Sequence, residues 1–240
     1  MIDPKLDELV QKLKAAAGAN LKSVILYGSA ATEEFHAKHS DLNVLCVVEQ
    51  ADAAHLEALH GAAEWWTRRD QRAPLVFTLE ELRRSADIFA IELLDMKSRH
   101  RVLHGENVLT ELKVPMHLHS FQVERELRAD WLRLRQAILA APKRPKIYLE
   151  LMTASFSSFA ALFHHALIAL GEPPAQTKRE AIDRIAKFAA ADPAGFHAVL
   201  ALREGKRRDR EIDVEKTMDQ FVAFVEAVTD QFDRRMETKS

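Results

Sequence analysis

Gly28 and Ser29 close a short apolar run, Val24-Ile25-Leu26-Tyr27, and eleven residues separate Ser29 from Asp41-Leu42-Asn43, which opens the next apolar run. Strand residues alternate faces, so Asp41 and Asn43 would point to one side. A glycine lets the backbone approach a ligand closely. Ser29 and the amides after it can offer a hydroxyl and N–H groups to a phosphate, as a helix N-terminus does. Two oxygen-bearing side chains beside such a cradle suit Mg²⁺, which takes oxygen ligands and shares them with substrate phosphates. A further acid, Glu92, sits between Ile91 and Leu93 in an apolar run, where a carboxylate needs a reason. Asp95 stands behind it, with Lys97, Arg99 and Arg101 available as ion-pair partners.

The elements that must position these groups follow from hydrophobic period. Leu6, Leu9, Val10 and Leu13 give a helix over residues 4–17. Val24–Tyr27, Leu42–Val48 and Leu75–Phe77 are short apolar runs of strand type, and Ile91–Met96 is expected as a fourth strand. A helix over 53–68 falls between the second and third runs. Thr78 with Glu81 three residues later is a capping-box pair and starts another. Strands alternating with helices over 21–105 imply an α/β layer structure. Beyond about residue 114 only helical patterns follow, over 122–140, 147–170, 181–190, 196–202 and 214–232, a bundle of roughly five helices. Trp131, Leu132, Leu134 and Ile138 are expected on the apolar side of the first of these. The domain expectation is 1–113 for the α/β part and 114–240 for the helical part.

The stretch Leu21–Val48 resembles the nucleotidyltransferase superfamily that includes polymerase β, aminoglycoside nucleotidyltransferases and the minimal nucleotidyltransferases. Its pattern is Gly-Ser, then about ten residues, then Asp-x-Asp or Asp-x-Glu on the next strand. The matching positions are Gly28, Ser29, Asp41 and Asn43. The resemblance implies an α+β fold, a mixed sheet with helices on one side followed by an all-helical domain. It also implies a nucleoside triphosphate held by Gly28 and Ser29, with Mg²⁺ held by Asp41 and Asn43. The reaction it implies is nucleotidyl transfer to a hydroxyl acceptor, driven by metal-assisted positioning and charge stabilisation. Two departures stand out. Asn43 replaces the second carboxylate, and Leu75-Val76-Phe77 carries no acid, which leaves Glu92 as the substitute third carboxylate or base beside Asp41. An amide can still ligate Mg²⁺ through oxygen but brings no charge. The alternative is therefore a catalytically degenerate member acting as a nucleotide-binding or protein-interaction module.

Composition bounds the rest. A net charge of -2 over 240 residues gives no bulk attraction to nucleic acid, which is not the expected partner. Cys46 is the single cysteine and lies in an apolar run, so it is expected as an inert core residue. Met1–Lys5 lacks a signal-peptide pattern and no apolar stretch is expected to reach membrane-spanning length, so a soluble, cytoplasmic chain is expected, with a homo-oligomer compatible. His100 with His104, and His117 with His119, have spacings that can bind metal. They lack accompanying acids or thiols, so capping or surface roles are expected; His164-His165 is read as a packed helix pair. Trp65-Trp66 reads as one core and one half-exposed ring. Arg68, Arg69 and Arg72 could reach a triphosphate or simply solvate a helix end, and Lys206–Arg210 reads as a solvated turn.

Overall fold

Leu6, Leu9, Val10 and Leu13 are all buried along α1 (Pro4–Ala17), as their period requires. The structure is a computed structural model describing residues 4–31 and 42–238. The chain divides into two compact units, Met1–Met116 and His117–Ser240.

The first unit is built on four strands, β1 (Leu21–Tyr27), β2 (Asn43–Val48), β3 (Leu75–Thr78) and β4 (His100–Gly105), in the order β3-β2-β1-β4. β1 pairs antiparallel with both β2 and β4, while β2 and β3 run parallel. The sheet is therefore mixed. The parallel pair needs a crossover, which α2 (Ala53–Thr67) supplies. Val24, Ile25 and Leu26 are all buried in the central strand, so both faces of the sheet are covered. Val24, Leu26, Val44 and Cys46 pack with α1 and with Leu59, Ala62 and Trp66 of α2. Ile25, Leu45 and Val47, the alternate residues, pack with Leu82 of α3 (Leu79–Arg84) and with Leu93 and Met96 of α4 (Ala90–Ser98). Helices on one face only were implied by the resemblance; here α3 and α4 supply a second layer. Thr78 caps α3 through the full capping box with Glu81.

Two expectations need correction in this unit. Ile91–Met96 is not a strand but the body of α4, and Leu93 and Met96 bury at a helical spacing of three. The fourth strand is β4, whose mixed sequence His100-Arg101-Val102-Leu103-His104-Gly105 hid its nature. Gly105 has φ +76, and a Cβ there would overlap the Lys22 carbonyl oxygen. Only glycine lets β4 close on β1 at that point.

The second unit is all helical: α5 (His119–Ala140), α6 (Pro145–Ala169), α7 (Lys178–Ala189), α8 (Ala194–Arg203) and α9 (Val214–Glu237). Its centre is a cluster of phenylalanines. Phe196 stacks on Phe221 with ring centroids 4.0 Å apart, and Phe163 meets Phe224 edge-on at 5.5 Å. Trp131 and Leu134 of α5 are buried as expected, but Leu132 is exposed. It lies one residue beyond Trp131, about 100° around the helix. Contrary to the expectation that no stretch reaches spanning length, α6 is long and apolar enough by length and composition to cross a membrane. Here half of that stretch is buried, with Phe156, Phe159 and Phe163 inside the phenylalanine cluster.

Candidate functional site

Two of the sequence candidates, Gly28 and Asn43, meet at one end of the sheet, where β1 ends and β2 begins. Antiparallel register sets Tyr27 opposite Asn43, and on its other side opposite His100. Directly opposed residues share a face, so Asn43, Tyr27 and His100 form a row across three strands. That row lies on the α3–α4 face, since Tyr27 packs with Ile25 and Leu45. Gly28 then turns with φ +81, and a Cβ there would stand 3.5 Å from Asn43 Nδ2. The Gly28 bend and the Asn43 side chain are thus immediate neighbours.

The bend itself is tied into the sheet. The Gly28 N–H donates to Arg99 O at 2.9 Å, and the Ala31 N–H donates to Gly28 O at 3.0 Å, closing a short 3-10 turn over Ser29–Ala31. Gly28 N–H is therefore a sheet donor, not a phosphate donor. The Ser29 side chain and Asp41 lie outside the described residues.

The segment after α2, whose arginines the sequence offered as phosphate contacts or as a solvated helix end, reaches this end of the sheet. Leu42 N–H donates to Gln71 Oε1 at 3.0 Å, which pins the stretch after α2 beside the residue preceding Asn43. Arg72 follows directly. Burial pushes the Tyr27 hydroxyl above its usual pKa, and the positive charge of Arg72 pulls the other way. Of the three arginines after α2, Arg68 pairs with Glu64 at 2.7 Å. Arg69 lies over the Trp65 ring at 3.7 Å and donates to Trp65 O. Both are turned back onto their own helix. The only signal for the Gln71 contact was a glutamine among turn residues, which is not distinctive.

Glu92 stands in the first turn of α4, exposed, and not on a strand beside Asn43. The structure does not bring it into the Asn43–Tyr27–His100 row. Lys97 is held by the carbonyls of Thr110 and Leu112. The His100 ring lies between Lys97 O at 3.0 Å and Asn107 Oδ1 at 3.1 Å. Among the described residues no group of three His, Cys, Asp or Glu side chains could hold a metal. Asn43 alone, a neutral amide, does not fit Mg²⁺ by itself, because a dication that dehydrates reluctantly is held through carboxylates and phosphates.

The other candidates have structural roles. Cys46 is fully buried and its thiol is pushed up to about 12 by burial, so it is not a nucleophile. Trp66 is buried and Trp65 half-buried, as read from the sequence. His165 is buried on α6 and meets His119 of α5, Nε2 to Nδ1 at 3.0 Å. Sequence reading had set these two histidines in separate pairs.

No protein-family model matches the chain, and no curated protein matches it. Among solved structures, the spectinomycin adenyltransferase AAD(9) from Enterococcus faecialis, solved with ATP and spectinomycin, aligns with TM-score 0.55 at 14% identity. The alignment covers 92% of this chain and 98% of that one. A toxin–antitoxin structure with AMP-PNP aligns with TM-score 0.30 at 17% identity, over 56% of this chain and 98% of that one. The class defined by the mixed sheet and the helical region that follows it in the chain is a nucleotidyltransferase-like fold. Within that class the particular likeness is to the fold of the spectinomycin adenyltransferase.

Proposed function

We propose that this chain binds a nucleoside triphosphate where β1 turns into Gly28 beside Asn43, and that its capacity for nucleotidyl transfer is strongly reduced. The observation that carries the reading is the contact of the Gly28 bend with Asn43, which sets an amide where the superfamily pattern has a carboxylate. Asp41, two residues earlier, is the carboxylate assigned to Mg²⁺ in this reading, with Asn43 as a neutral co-ligand. Gly28 and Ser29 flank the phosphates. Glu92 is helical and exposed rather than on a strand beside Asn43, so this reading assigns the metal one carboxylate, Asp41. Metal stabilisation of a transferring phosphoryl group is worth several kcal/mol, and each ~1.4 kcal/mol lost slows the reaction about tenfold.

The test is calorimetric titration with ATP and GTP, then incubation with labelled triphosphate and a mixture of hydroxyl acceptors. Saturable binding without label transfer is expected. Absence of any nucleotide binding overturns the reading. The Asn43→Asp variant, measured beside the parent, is expected to gain metal-dependent transfer.

A second reading, active transfer to a small hydroxyl-bearing acceptor, is favoured by the fold shared with an adenyltransferase along 92% of the chain. Transfer by the parent at a rate matching Asn43→Asp would select it.

A further inference from the structure

The helical unit holds a cavity of about 500 Å³ lined from the first turns of α7, α8 and α9 and from the loop between α8 and α9. That volume suits a small molecule, not a bare ion. Three side chains of fixed positive charge line it, Arg179, Arg207 and Lys216. Arg179 is shared between Glu204 at 3.6 Å and the His197 ring at 3.4 Å. Arg207 and Lys216 form no ion pair or side-chain hydrogen bond among the described residues. The two acids in the lining are turned to the backbone. Glu211 accepts the Arg208 N–H at 3.0 Å, and Asp213, the N-cap of α9, accepts the Lys216 N–H at 3.1 Å.

The placement of these cations runs against the helix dipole. Arg179 is the second residue of α7 and Lys216 the third of α9, and a helix N-terminus favours negative charge. A second cavity of the unit, lined by Lys187 and Arg235, gives the contrast. Those two lie in the last turns of α7 and α9, where the dipole alone accounts for them. Thr217 lines the first cavity while only 6% exposed. Thr229, on the same helix, returns its hydroxyl to the Val225 carbonyl at 2.8 Å, a common arrangement for a helical threonine. The Thr217 hydroxyl has no hydrogen bond among the described residues.

We propose that this cavity binds a phosphorylated small molecule, its phosphate held by Arg207, Lys216 and the Thr217 hydroxyl and its body laid against Ala198, Ala201 and Ile212. A guanidinium fork matches phosphate oxygens, and an ammonium adds a compact charge. The bound anion also answers the positive ends of α7 and α9. The lining belongs wholly to the helical unit, so the site is independent of the nucleotide reading at Gly28 and Asn43.

The experiment titrates phenyl phosphate, inorganic pyrophosphate and citrate into the full chain by calorimetry, and follows the backbone amide NMR signals with phenyl phosphate. Parent, Arg207→Gln, Lys216→Gln and Thr217→Val are compared, each with a melting curve without ligand. The parent is expected to bind phenyl phosphate saturably, with the largest shifts at Lys216, Thr217 and Gln220, and to bind citrate more weakly. Each charge-removing variant should lose about 10-fold in affinity, the worth of one charge-assisted hydrogen bond, and Thr217→Val about threefold. Lys216→Gln should melt no lower than the parent, since it relieves positive charge at the α9 N-terminus. The proposal is overturned by absence of saturable phosphate binding, by citrate binding more tightly than either phosphate, or by unchanged affinity in both charge variants. Shifts confined to the neighbourhood of Gly28 and Asn43, or a Lys216→Gln that melts well below the parent, overturn it as well. If a variant fails to fold, the shift map of the parent decides.

Discussion

The two units solve the problem of a core in different ways. The sheet unit packs aliphatic side chains against both faces of β1, half-buries the row Asn43–Tyr27–His100 at one end, and buries Ser23 at the other, where its hydroxyl donates to the His104 and Glu106 carbonyls. The helical unit fills its centre with phenylalanine rings and buries a histidine pair, His119 and His165, where α5 meets α6. The lesson is that the sheet unit leaves a polar row half-exposed across three strand ends, whereas the helical unit buries a titratable pair. Protons should therefore act chiefly on the helical unit.

Phe196→Ala should give the largest effect. It removes a fully buried ring stacked at 4.0 Å on Phe221, and such truncations cost about 3–5 kcal/mol. Urea unfolding followed through Trp131, in a variant lacking Trp65 and Trp66, should show the helical unit's midpoint fall. A midpoint unchanged would mean the phenylalanine cluster is not its core. Gly105→Ala is the matching blow to the sheet unit, roughly 3 kcal/mol from strain at φ +76 and collision with Lys22. Trp65 and Trp66 report it, and an unaffected sheet transition would mean β4 is dispensable.

Acid separates the units next. Burial, then the nearby His165 and His164, lower the His119 pKa from 6.5 to about 4. Its Nδ1 is buried without a hydrogen-bond partner, so nothing favours a proton there. The unfolded chain binds that proton below about pH 6.5 and the folded unit does not. Stability from this group is thus complete above 6.5, falls as pH drops, and is gone below about 4. A loss of roughly 1 kcal/mol per pH unit in that window is expected for the helical unit. His119→Phe should flatten it, and an equal slope in the variant would move the cause elsewhere. Smallest is Thr78→Ala, which removes the α3 cap and should cost about 1 kcal/mol in the sheet unit. A loss under a few tenths would show that α3 is held by Leu82 alone.

Much of this was legible in the sequence, for identifiable reasons. β1 and β2 each contain a continuous apolar run, Val24–Tyr27 and Val44–Val48, and α1 carries an unbroken helical period. That Gly28 and Asn43 are neighbours depends on the antiparallel pairing of β1 with β2, which alternation within a strand does not give. Ile91–Met96 misled because a six-residue apolar run fits a buried strand and a helix face equally. Ala90, Leu93 and Met96, three apart, were the helical signal within it. β4 was missed because its residues are half-buried and half of them polar. Arg72 was offered only as one of three arginines near a helix end; the hydrogen bond between Gln71 and Leu42, 29 positions apart, is what sets the segment before it beside β2. No local pattern encodes a contact of that span. The His119–His165 pair, 46 positions apart, escaped for the same reason.

The strand order carries a consequence for biosynthesis. β1, the first strand made, is central, and its outer partner β4 is complete at Gly105, before the first helix of the second unit begins at His119. Translation proceeds from the N-terminus and domains tend to fold as they emerge. Every strand pairing can thus be satisfied on the ribosome while the phenylalanine-rich helices are still unmade, which spares the nascent sheet from competing with them for apolar contacts.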